Sequence, residues 1–158
     1  MKSLFENTGL YTRFEEELKK WLGTPHKHLQ CEIKKGADCG LFILKTLFNI
    51  GLVTDYNIVK THSRLWYYLT DSEIILDIIN TVIERYMVTG YVLHEVDDLK
   101  HGDILTFSIG EVNLKTNHIA VLLTDDKIIH SIKKEGVLLS DYNKYGQYLT
   151  HSYRVFLI

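Results

Sequence analysis

Two cysteines in 158 residues, Cys31 and Cys39, are too few for the disulfide framework of a small secreted domain. No staple is needed at this size, since such a chain buries ~70% of its unfolded surface on folding. Positive charge is no more abundant than negative. Eighteen Lys and Arg against twenty Asp and Glu leave a formal net charge of −2, which gives no electrostatic case for nucleic acid. Long apolar runs are missing as well, and none approaches the ~20 residues of a membrane span. Met1-Lys2-Ser3 is followed by Glu6, Glu15, Glu16 and Glu17, not by the apolar core of a secretory leader. The expectation is a chain that is cytoplasmic as synthesised. Nor is there a repeat, a low-complexity stretch or a linker, and the one proline, Pro25, stands near the N-terminus. Residues 1–158 therefore read as a single domain. What the chain does contain is ordinary for a globular protein: 46% apolar and 24% charged residues.

The apolar spacing changes along the chain. Leu4, Leu10, Tyr11, Phe14, Leu18, Trp21 and Leu22 mostly follow a 3.6-residue period, which predicts a helix over residues 4–22. Gly23-Thr24-Pro25 ends it. Residues 26–38 are polar and mixed, hence loop. A second helix is predicted from near Cys39 to Gly51, with Asp38 as its N-cap and Lys45 as its one charge. Residues 52–72, with Trp66, Tyr67 and Tyr68, fit no single pattern; these aromatics suit a substrate groove or the core equally. Ile74 to Tyr86 predict a third helix over about 73–89. After Gly90 the pattern turns strand-like at Ile104–Phe107, Ile119–Leu123, Lys127–Ile132 and Tyr153–Ile158. Helices first and strands later imply an α+β domain, N-terminal helices packed against an antiparallel sheet.

Cys39 carries the strongest chemical signal. It stands in Gly36-Ala37-Asp38-Cys39-Gly40, where loop gives way to helix. Unpaired N–H groups and partial positive charge at a helix start favour thiolate, so a primed thiol that alkylates well below pH 8 is expected here. A histidine within reach would take the proton and return it to a leaving group, and a third polar group would orient that histidine. His118 and His130 are twelve apart on either side of Leu122-Leu123-Thr124-Asp125-Asp126. That even spacing puts both on one sheet face if the hairpin loop has an odd residue count or a bulge. Direct opposition requires a turn centred on Thr124, whereas turn chemistry favours Asp125-Asp126. Both registers stay open.

Other clusters are weaker. His26, His28, Cys31 and Cys39 form a His-x-His-x2-Cys-x7-Cys run that matches no common structural-zinc spacing, and no metal is expected. Asp103, beside Gly102 at a strand start, reads as a turn-shaping carboxylate.

Three stretches in order resemble the NlpC/P60 superfamily of papain-like cysteine peptidases, in particular its phage-associated branch. Trp21-Leu22-Gly23-Thr24-Pro25 and Gly36-Ala37-Asp38-Cys39 look like the family's upstream block and Asp-Cys motif. Leu99 to Phe107, with Gly102-Asp103 inside it, resembles the Pro-Gly-Asp-hydrophobic strand. Asn117-His118 to His130-Ser131, then Gly136-Val137, resembles the two-histidine hairpin. The resemblance implies a papain-like α+β fold and an enzyme that cleaves amide bonds in cell-wall (peptidoglycan) peptides. It implies Cys39 as nucleophile, His118 as base and His130 as third member, with His26 and Asp38 at the substrate and no cofactor. Phage tail proteins are the implied partners, and a phage particle the implied route to the wall. Three positions depart from the family: Gly40 where serine is usual, His26 where a tyrosine often sits, and His101 where proline is common. Two other readings stand beside this one. The first is a non-catalytic binding or tail-assembly protein of the same fold. The second is a thiol hydrolase or acyltransferase acting on a different amide or on a lipid.

Overall fold

The computed structural model describes residues 1–6, 8–57, 74–110 and 116–158. His62, Trp66, Tyr67 and Tyr68 lie outside the described residues. β1 (Lys2–Ser3) leads through a short 3-10 turn into α1 (Thr8–Lys19). The apolar stripe seen in the sequence becomes the buried face of α1, where Phe14 and Leu18 are fully enclosed and Phe5 stacks on Phe14 at 5.0 Å. The helix ends at Lys19, three residues before the predicted end, and the chain turns through residues 20–23, so that the Trp21 side chain enters the core beside Phe42. The polar stretch that follows is not all loop. It contains a two-stranded ribbon, β2 (Cys31–Glu32) and β3 (Gly36–Ala37).

α2 (Leu41–Asn49) begins two residues later than expected, and its N-cap is Gly40, not Asp38. Asp38 Oδ1 instead accepts the Gly40 N–H at 3.1 Å, tightening the turn that holds Cys39 just ahead of the helix. α2 is apolar on most of its circumference and is buried at Leu41, Phe42, Ile43, Leu44, Thr46 and Leu47. α3 (Ile74–Thr81) continues as a single π-helical turn through Val82–Tyr86, three residues short of the predicted end.

β4 (Tyr91–Glu95), β5 (Ile104–Phe107), β6 (His118–Leu122), β7 (Lys127–Ile132) and β8 (Gly136–Asp141) follow. A one-turn helix α4 (Tyr142–Tyr145) then leads to the long β9 (Leu149–Leu157). Among the described residues the sheet has seven strands, all paired antiparallel. β1 and β4 both pair with β9, which is followed by β5, β6, β7 and β8. The α+β expectation holds. Alternation divides the core in two: Ile104, Ile119, Val121 and Ile129 join the helices, whereas Leu105, Phe107, Ala120, Leu122 and Ile128 form a second cluster on the other face.

Asp103 does shape a turn, and it does more. Its carboxylate accepts the Lys100 N–H at 2.8 Å and makes a fork with Arg154 on β9, Nε and Nη2 each at 2.8 Å. Asp103 is fully buried and Arg154 is 4% exposed. Removing one partner strands a charge in the interior. Arg154→Met should therefore lower unfolding free energy by about 3–5 kcal/mol, read from urea denaturation. The Asp103→Asn/Arg154→Met double variant should recover part of that loss.

Candidate active site

The β6–β7 hairpin decides where the two histidines go. Val121 pairs with Ile129 and Leu122 with Ile128, which centres the turn on Asp125. Asp125 and Asp126 take left-handed backbone angles, φ 61° and 54°, a conformation aspartate tolerates better than most residues. The Tyr11 hydroxyl accepts the Thr124 N–H at 3.1 Å, so α1 holds this turn in place. Turn chemistry thus prevails over direct opposition. His118 and His130 sit diagonally, on one face, across an odd-numbered loop.

The diagonal suits the rings. His118 Nε2 and His130 Nδ1 are 2.7 Å apart, and His130 Nε2 lies 2.8 Å from the Ser140 hydroxyl of β8. Tyr145 closes the far side of His130 edge-on, with ring centres 5.0 Å apart. Burial, joined by the neighbouring His130 and His26, pushes His118 down to about 3. Burial alone pushes His130 down to about 4. Both rings are neutral at pH 7. Among the described residues the nitrogen of the pair left without a hydrogen-bond partner is His118 Nδ1, the atom a base would use.

Cys39 lies at the rim where α2 meets the start of β6. The backbone N–H groups of Cys39, Gly40 and Ile119 each lower the pKa of the thiol, and Ile119 is the residue after His118. These donors favour thiolate, as the helix-start argument anticipates. They are outweighed, because burial, followed by the Asp38 charge, pushes the thiol well up. The expectation of a thiol primed below pH 8 is therefore corrected. Cys39 is 6% exposed and rests protonated.

His26 and Asp38 flank this centre from the loop before α2. Ala37 bridges to His26, and its N–H donates to the Pro25 carbonyl at 2.9 Å. On the other side the Gly23–Thr24 backbone pairs with Val137. This approach is so close that a Cβ on Gly136 would come within 2.3 Å of the Thr24 oxygen. The loop is thus strapped to both the ribbon and β8. Ser131 Oγ donates its proton to the Ala37 carbonyl at 2.7 Å, so it accepts from His26 Nδ1 at 2.9 Å. His26 then carries its proton on Nδ1 and leaves Nε2 as a bare acceptor. Burial pushes His26 down, which keeps it neutral.

Asp38 has both oxygens occupied by the protein. Oδ1 accepts from Gly40, and Oδ2 accepts the Leu29 N–H at 3.0 Å with His28 Nδ1 at 3.2 Å. What Asp38 visibly does is shape the turn under Cys39. The zinc-like run is not gathered: His26 bonds Ser131, His28 Nδ1 stands 3.2 Å from Asp38 Oδ2, and Cys31 pairs across the ribbon with Ala37. Among the described residues no three His, Cys, Asp or Glu side chains converge as metal ligands. Ser140 is the site residue that sequence reasoning missed. Its signal was faint, a serine in a strand that the apolar pattern had not marked.

The NlpC/P60 family model matches residues 21–155. No curated protein gives a significant match. Among solved structures, the crystal structure of the NlpC/p60 domain of the peptidoglycan hydrolase SagA aligns with 90% of this chain and 96% of its own, at 18% identity and a TM-score of 0.48.

Proposed function

The chain belongs to the NlpC/P60 family, and on that premise we propose that it is a cysteine hydrolase of amide bonds in peptidoglycan peptides. The observation that carries the reading is the neutral, hydrogen-bonded His118–His130 pair beside the Cys39 loop. In this reading residues 1–158 act as one domain. His118 Nδ1 takes the proton from Cys39 as the sulfur attacks the substrate carbonyl. The Cys39 N–H is one donor to the oxyanion that forms. The carbon–nitrogen bond then breaks, His118 returns the proton to the departing amine, and a thioester remains on Cys39. Water, deprotonated by His118, hydrolyses that thioester and restores the thiol. His130 keeps the His118 ring in place, and His26 Nε2 is free to accept a hydrogen bond from a substrate N–H. Delivery by a phage particle is the route to the wall that the branch resemblance favours. No helix among the described residues is long and apolar enough to cross a membrane.

One observation favours a second reading. Asp38, Cys39 and Gly40 border a partly open pocket lined otherwise by apolar side chains such as Leu44, Leu47, Ile75, Ile79 and Ile119. An aliphatic acyl group on the Cys39 sulfur would suit those walls better than a polar peptide. A single experiment decides between the two. Wild-type protein is incubated in parallel with purified muropeptides and with p-nitrophenyl esters from acetyl to dodecanoyl. Muropeptide cleavage, with little dependence of the ester rate on chain length, is the expected result. Inert muropeptides with a rate rising along the ester series would transfer the assignment to a lipid substrate.

A further inference from the structure

We propose that Ser140 is a positioning residue, the last member of a hydrogen-bonded chain through His130 and His118 that sets the tautomer of both rings. The proposal rests on the hydrolase reading and extends it. A neutral imidazole has one proton for two nitrogens. His118 Nε2 and His130 Nδ1, 2.7 Å apart, can share only one proton between them. If His118 supplies it, His118 Nδ1 is bare and can receive the Cys39 proton. If His130 supplies it, the His118 proton sits on Nδ1 and the base is blocked. The second nitrogen of His130 decides which arrangement prevails.

That nitrogen, Nε2, is 2.8 Å from Ser140 Oγ. With Ser140 as acceptor, His130 carries its proton on Nε2 and presents a bare Nδ1. His118 must then donate from its Nε2, which leaves its Nδ1 open as the base. The strand register explains the placement. His130 faces Leu138 across β7 and β8, and Ser140 lies two residues further along the same side of its strand. His130 is fully buried, while Ser140 is partly exposed. The hydroxyl proton can therefore turn to solvent and leave a lone pair for the ring. Without Ser140, the competent arrangement would bury a His130 N–H that has lost its acceptor, so the pair would relax toward the blocked one.

The test uses Ser140→Ala and Ser140→Thr. Nitrogen-15 NMR of the imidazoles reads which ring nitrogen is protonated in the free protein, and kinetics on muropeptides read kcat and KM. Wild-type protein should carry protons on Nε2 of both His118 and His130. Ser140→Ala should mix or reverse the tautomers and lower kcat by about 10–100-fold, the rate equivalent of one lost buried hydrogen bond, with KM nearly unchanged. Ser140→Thr, which keeps the hydroxyl, should restore both readouts. Wild-type tautomers in Ser140→Ala, or an unchanged kcat, would overturn the proposal. The NMR arm needs no substrate. A wild-type protein inert toward muropeptides would count against the hydrolase reading alone, and the tautomers would still decide the role of Ser140.

Discussion

Cys39→Ala is expected to lower muropeptide hydrolysis by about 10⁶-fold, the scale seen when the nucleophile of a catalytic triad is removed. Two features make the loss that large. A thioester intermediate divides amide hydrolysis into two easier steps, and no other thiol is near the histidine pair to replace it. Cys31 lies on β2, paired with Ala37 across the ribbon. The fold should survive. Cys39 is a small buried residue in the helix-side core, and alanine removes only its sulfur, at a cost of about 1 kcal/mol. Circular dichroism and the urea midpoint would confirm that. Because burial holds the resting thiol protonated, wild-type Cys39 should also react with iodoacetamide at pH 7 more slowly than a free thiol. The combination is informative. A thiol sluggish toward alkylation yet required for turnover is activated by His118 during the reaction and not before it. Full activity in Cys39→Ala would remove the nucleophile assignment.

How much of this was legible in the sequence depends on which interactions are local. Ile104–Phe107 and Lys127–Ile132 are strands over the residues predicted, because both are short stretches rich in β-branched residues between turn residues. β4 and the first half of β9 were not foreseen. Tyr91–Glu95 has a polar end, and it becomes a strand by pairing with residues some sixty positions away. β8 was missed for a related reason. Its outer half is partly exposed, and its partner β7 supplies the order. The start of α2 was misplaced by two residues because Asp38 bonds to Gly40 and not to the helix proper.

The site shows the same division. Spacing narrowed the hairpin to two registers, and only the Asp125 backbone with the Tyr11 contact chose between them. The identity of Cys39, His118 and His130 as a candidate set came from residue type and order. Their protonation did not, because it is governed by burial, and burial is a property of the assembled sheet and helices. Ser140 illustrates the limit most clearly. A serine ten positions beyond a histidine carries no signal until β7 and β8 are laid side by side.

That burial has a measurable consequence for stability. Between pH 6.5 and 5 the protein should lose about 2 kcal/mol for each of His118 and His130, far more than an exposed histidine would cost. The folded protein keeps the two rings neutral down to about 3 and 4, whereas the unfolded chain takes up protons near 6.5. Above pH 6.5 neither state is protonated, and the full stability is present. As the pH falls below 6.5, the unfolded state gains protons that the folded state cannot accept, so the folded state weakens. The loss continues until the folded pKa values are reached near pH 4 and 3. By then it is on the order of 8 kcal/mol, comparable with the whole stability of an ordinary domain. The chain should therefore unfold in mild acid before its histidines charge in place. Carboxylates titrate mainly below pH 5, so the interval from 6.5 to 5 isolates the histidines. Urea midpoints at pH 7.5, 6.5, 5.5 and 5.0 measure the slope. A His118→Gln/His130→Gln variant should be less stable at neutral pH but lose much less across that interval, its residual slope coming from His26, which burial also holds neutral. Parallel slopes in the two proteins would mean that the imidazoles are not held neutral by the fold, and the picture of an uncharged pair waiting for the Cys39 proton would fail with them.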